Sequence, residues 1–102
     1  MDKRAETGYW VMQCPVIRTG HLTADVAARF AEAMPGGEFF YGLYHAPTMH
    51  GGFVACPDET VLDDEVPRCL RDCMRWAMRE GFEWLRFDAD GDQIGELTVY
   101  EW

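Results

Sequence analysis

Serine is missing from this chain altogether, and with it every serine nucleophile and serine-based triad. Cations are scarce: nine Lys and Arg stand against eighteen Asp and Glu, a formal charge of −9. A surface so negative repels nucleic acid and anionic membranes and favours basic partners. No unbroken run of about 18 apolar residues is present, so no segment reads as a membrane-spanning helix. The start, Met1-Asp2-Lys3-Arg4-Ala5-Glu6, leads into a short apolar stretch broken by Gln13 and Pro15, which is not the layout of a secretory leader. The expected location is the cytoplasm, where Cys14, Cys56, Cys69 and Cys73 stay reduced thiols.

What is there suffices for one core. The 102 residues are 48% hydrophobic and 14% aromatic, which predicts a single domain over 1–102 with residues 1–7 flexible. Tyr9 to Cys14, extending through Val16-Ile17, is aromatic and β-branched and reads as a strand. Thr23 reads as a helix N-cap, and Val26, Ala27, Phe30, Ala33 and Met34 recur at helical spacing until Pro35-Gly36-Gly37 stops them. Phe39 to Tyr44 is the second strand, Pro47 to Gly51 a loop, and Phe53 to Cys56 the third strand, ended by Pro57. Glu65-Val66-Pro67 opens a second helix running to Glu80, with Gly81 as its stop and Val66, Cys69, Leu70, Cys73 and Ala77 facing inward. A closing hairpin runs from Glu83 to Asp88, turns through Ala89-Asp90-Gly91-Asp92 and returns over Leu97 to Trp102.

The resulting order is β-α-β-β-α-β-β. It predicts an α+β fold, an antiparallel sheet with two helices on one face, a ferredoxin-like variant of the split βαβ arrangement. In the final hairpin, strand parity turns Leu85, Phe87, Leu97 and Val99 toward the helices. Trp84, Tyr100 and Trp102 then share the opposite face, which is either half-covered by the N-terminal segment or the 46–52 loop or open as an aromatic patch suited to a partner or a second copy.

Several motifs stop short of chemistry. Asp88-Ala89-Asp90-Gly91-Asp92 opens like an EF-hand loop, but Gln93 stands where the glycine belongs and Val99 where the closing carboxylate belongs. Cys69 and Cys73 with His21, His45 and His50 allow a zinc site to be imagined, yet only one Cys pair exists and it lies on the apolar stripe, so core thiols are the reading. Cys56 near His45 or His50 lacks a nucleophile motif. Arg68, Arg71, Arg75 and Arg79 fall on one helix face beside Glu65, Asp72 and Glu80, which reads as a solvated stripe. No catalytic residue, metal or cofactor is expected.

The carboxylates concentrate in two places. Asp58, Glu59, Asp63, Asp64 and Glu65 precede the second helix, and Asp88, Asp90 and Asp92 occupy the hairpin tip, with Glu96 extending the negative charge. These are the candidate partner-binding residues. Trp84, Tyr100 and Trp102 form the alternative face.

The closing stretch, Trp84-Leu85-Arg86-Phe87-Asp88 followed by Leu97-Thr98-Val99-Tyr100-Glu101-Trp102, resembles the ending of short uncharacterised proteins of bacteria, plasmids and phages. The resemblance implies a small acidic inhibitor of host defence, an anti-CRISPR or anti-restriction DNA mimic. Such a protein would block the basic cleft of a nucleic-acid-binding protein or complex without binding nucleic acid itself. The alternatives are an adaptor or homodimer acting through the aromatic face, and a small metal-dependent enzyme. A monomer and a homodimer both fit.

Overall fold

Alternation decides the sheet: in Gly51–Ala55 and in Trp84–Asp88 every second residue is buried and its neighbours are half-exposed, the pattern of strands with one covered face. The computed structural model describes residues 2–4, 10–32 and 43–102. Strands β1 (Asp2–Arg4) and β2 (Trp10–Met12) pair antiparallel in a two-stranded sheet of their own. Then follow β3 (Val16–Arg18), a 3-10 turn at Thr19–His21, α1 (Ala24–Glu32), β4 (His45–Thr48) and β5 (Gly51–Ala55). A second 3-10 turn at Glu59–Val61, α2 (Arg68–Arg79) and β6 (Trp84–Asp88) complete the elements. The main sheet has four strands in the order β3-β6-β5-β4, and the fold is mixed α/β.

Helix α2 shows how local chemistry sets the boundaries. Pro67, with no N–H to leave unsatisfied, sits at its N-cap, and its carbonyl oxygen accepts the Arg71 amide at 2.9 Å. Gly81 takes a positive φ of 85° at the other end. That lets the Gly81 and Phe82 amides reach the Met78 and Ala77 carbonyl oxygens at 3.0 and 2.9 Å, a Schellman stop. The hydrophobic contact that accompanies such a stop is Trp76 on Phe82, ring centroids 6.2 Å apart.

The covered sheet face presents Ile17, Val54, Leu85 and Phe87 to Val26 and Phe30 of α1 and to Leu70, Cys73, Met74 and Ala77 of α2, all in one buried cluster. Phe30 packs on Phe87 with ring centroids 5.7 Å apart. Truncating a ring of this kind to Ala costs about 3–5 kcal/mol through lost transfer energy and the cavity left behind.

Four expectations change. The sheet is not wholly antiparallel, because β3 runs parallel to β6, with Ile17 opposite Phe87. The hairpin β4–β5 and the α2 crossover each reverse the chain, so β6 points the way β4 does, and β3 shares that direction. The segment 97–102 is not a strand: β6 is already paired on both sides, by β3 and β5, so no free edge remains for a hairpin partner. A strand over His45–Thr48 enters the stretch expected to be the 47–51 loop, with Pro47 at the end of the described sheet where a missing donor is tolerated. The single strand expected from Tyr9 through Ile17 is, among the described residues, two strands in different sheets, β2 and β3, with residues 13–15 between them outside any strand. The expected end of the first helix and residues 39–42 of the expected Phe39–Tyr44 strand lie outside the described residues. The expected α2 and β6 agree with the structure to within a few residues.

Candidate functional site

The loop before α2 is built by its own carboxylates. Asp58 accepts the Thr60 amide at 3.2 Å and caps the 3-10 turn, and Asp63 Oδ1 accepts the Glu65 amide at 3.0 Å, both aspartate turn motifs. Leu62 and Val66 are buried and fasten the loop to the core. Asp58 and Asp63 are therefore fixed by their own turn bonds, on a loop fastened to the core at Leu62 and Val66.

Two of the loop's five carboxylates, Glu59 and Asp64, meet the arginine stripe of α2. Arg71 pairs with Asp64 at 3.4 Å, Arg75 with Glu59 at 3.0 Å, Arg79 with Glu96 at 2.9 Å, and Arg68 with Asp72 at 3.9 Å. Glu59 and Asp64 reach the stripe from the loop, and Glu96 reaches it from the C-terminal segment.

The second cluster is a turn. Asp88 Oδ1 accepts the Asp90 amide at 2.9 Å, and Asp88 Oδ2 accepts from Arg86 at 3.3 Å. Asp92 then lies along the outer side of β3: its amide donates to the Val16 carbonyl oxygen at 3.0 Å and its own carbonyl oxygen accepts the Arg18 amide at 2.9 Å. No hydrogen bond or ion pair among the described residues joins this turn to the 58–65 loop.

From residue 43 onward the chain carries thirteen Asp and Glu against five Arg, and each of those arginines is in an ion pair. The eight other carboxylates, Asp58, Asp63, Glu65, Glu80, Glu83, Asp90, Asp92 and Glu101, are all exposed. They form no ion pair among the described residues.

Sequence reasoning missed the role of His21. Its ring is buried between the Ile94 amide, which donates to Nε2 at 2.9 Å, and the Thr98 carbonyl oxygen, 2.9 Å from Nδ1. The Tyr100 amide donates to the Gly20 carbonyl oxygen at 2.8 Å, and the Trp102 indole N–H to that of Leu22 at 3.0 Å. Residues 94–102 are thus a strap laid over the 19–22 turn. With both ring nitrogens engaged, His21 has no lone pair for a metal. Cys69 and Cys73 are buried in the core, Cys73 Sγ facing the His21 carbonyl oxygen at 3.8 Å. Burial pushes the Cys73 and Cys56 thiols up, Cys56 to about 11, which leaves poor nucleophiles.

A family model for the C-terminal domain of DUF5983, a family of unknown function, matches residues 14–102. The chain belongs to the DUF5983 family. No curated protein and no solved structure matches it. The DUF5983 match takes in both acidic clusters, His21 and the strap, and leaves β1 and β2 outside. Within this DUF5983 domain the expected aromatic face comes apart. Trp84 lies on the half-exposed sheet face with Phe53, whose ring stacks under the Arg86 guanidinium at 5.3 Å, while Tyr100 and Trp102 belong to the strap. Among the described residues no helix is long and apolar enough to cross a membrane.

Proposed function

We propose that this domain is an acidic protein-binding module that takes the place of nucleic acid in a Lys/Arg-lined cleft, as an anti-CRISPR or anti-restriction inhibitor does. The observation that carries the reading is the excess of exposed carboxylates left after every arginine beyond residue 43 has found an acidic partner within the fold. Carboxylates standing in for phosphates need a rigid support so that their spacing is fixed before binding. The turn hydrogen bonds at Asp58, Asp63 and Asp88 give that support. The module binds no nucleic acid, carries out no catalysis and acts by occupancy alone.

The test is competition: a basic CRISPR or restriction complex is loaded with labelled DNA and titrated with the domain. The DNA is expected to be displaced, steeply less well as salt rises from about 50 to about 200 mM. Replacing Asp58, Asp63, Asp90 and Asp92 with Asn should blunt displacement while the fold survives. Displacement that ignores both salt and these substitutions, or that depends on Trp84 instead, moves the function to the sheet face as an adaptor or dimer surface.

A further inference from the structure

The strap builds a feature that the charge argument leaves unused. Trp102 is 63% exposed, yet its indole is pinned by the bond to the Leu22 carbonyl oxygen. It forms one wall of an open groove of about 270 Å³ whose other walls include Ala24, Ala28 and Phe30 of α1 and Met49 and His50 of the β4–β5 turn. Met49 is 90% exposed. An ordered, exposed indole beside small residues and a free thioether is the make-up of an interface anchor site, because little entropy remains to be lost on binding. The volume lies below that of pockets for drug-sized ligands and suits a single side chain.

Carboxylates adjoin the groove. Asp25 follows Ala24 on α1 and Glu101 precedes Trp102, both exposed. The Ala89 amide donates to the His50 carbonyl oxygen at 3.1 Å, tying the turn that bears exposed Asp90 to the groove wall. Of the cations on the neighbouring elements, Arg29 is exposed one turn beyond Asp25, and Arg18 Nε donates to the Gly91 carbonyl oxygen at 3.4 Å. We infer that the groove receives one bulky apolar side chain from a Lys/Arg-rich segment of a partner protein, whose cations lie against Asp25, Asp90 and Glu101. The charge part of this inference rests on the acidic reading above; the groove part does not.

Two synthetic peptides test it by calorimetry at low salt: Lys-Arg-Leu-Arg-Lys and the same peptide with glycine at its centre. Burying the leucine should make the first bind the unaltered domain about tenfold more tightly. In Ala28→Gln, which intrudes on the groove from an exposed helix position, and in Trp102→Ala, the preference should shrink to within about twofold. Circular dichroism confirms that each variant is folded, and either variant alone suffices. Equal, salt-sensitive binding of the two peptides overturns the groove and leaves the acidic reading standing. A leucine preference with both affinities indifferent to salt upholds the groove and overturns the acidic reading. Binding of neither peptide, or a preference that persists in both variants, overturns the inference.

Discussion

His21 Nε2 lies 2.9 Å from the Ile94 backbone nitrogen, and because an amide N–H only donates, that ring nitrogen must be the acceptor. The proton then sits on Nδ1 and is donated to the Thr98 carbonyl oxygen at 2.9 Å. The ring is 1% exposed, so one buried imidazole satisfies two backbone groups of the strap, and its neutral tautomer is fixed by them.

Replacing His21 with Ala removes both bonds and leaves a cavity. The expected cost is about 2–4 kcal/mol in urea denaturation, with faster hydrogen exchange at the Ile94 amide. A loss under about 1 kcal/mol would show that the strap holds itself in place without the imidazole.

The parts legible in the sequence are those whose signals are local. Helix α2 is framed by Pro67 and Gly81, and β6 by strict alternation, so both could be read directly. The strap could not, because Leu97 to Trp102 alternates like a strand while its partners, Gly20, His21 and Leu22, lie some eighty residues upstream. A warning was nonetheless present: residues 89–96 separate the supposed hairpin strands, more than the 2–5 residues typical of hairpin loops. The acidic loop at 58–65 was readable by composition. Its pairing with α2 was only half readable, since an arginine stripe at helical spacing says nothing of which carboxylates the tertiary fold will bring to it.

At Gly91 the chain passes close against β3. A Cβ there would run into the Ile17 backbone carbonyl group, and backbone cannot swing aside as a side chain end can. Gly91→Ala should therefore cost about 1–3 kcal/mol by overpacking. Gly95, whose Cβ would meet nothing within 4 Å, is the control: Gly95→Ala should leave the urea midpoint nearly unchanged. Equal effects at the two positions would contradict the close approach.

Burial pushes the Cys56 thiol up to about 11, with Cys14 and Glu83 adding to the shift, and Cys73 is shifted the same way by burial. The unfolded chain releases these protons near the ordinary thiol value of 9.0, while the folded chain holds them. Stability is therefore full below that value and falls as pH rises toward about 11. Urea midpoints at about pH 8 and about pH 10 measure the slope, which Cys56→Ala should flatten in part. A slope unchanged in that variant would assign the loss to other groups.

Calcium should leave the melting temperature nearly where it is. Both Asp88 oxygens already accept hydrogen bonds, and the Asp92 backbone is committed to β3, so chelation would have to dismantle the turn. A site of micromolar affinity would add about 4 kcal/mol at a thousandfold excess of ion. A clear upward shift in millimolar calcium would refute this.

The sign of the charge effect is the sharpest test of function. The pairs Arg75–Glu59 and Arg79–Glu96 lie at the surface, where such pairs contribute about 0–1 kcal/mol each. Arg75→Gln with Arg79→Gln should therefore leave the fold nearly as stable. It also frees Glu59 and Glu96, making the domain two charges more negative, so a basic partner should be held more tightly at low salt. The mirror variant, Glu59→Gln with Glu96→Gln, should hold it less tightly. The gap between the two should close as salt screens exposed charges beyond about 8–10 Å. Titrating one basic nucleic-acid-handling complex with both variants at two ionic strengths reads this directly. If the arginine variant binds more weakly, the arginines of α2 themselves touch the partner, and a surface that works by negative charge alone is the wrong description.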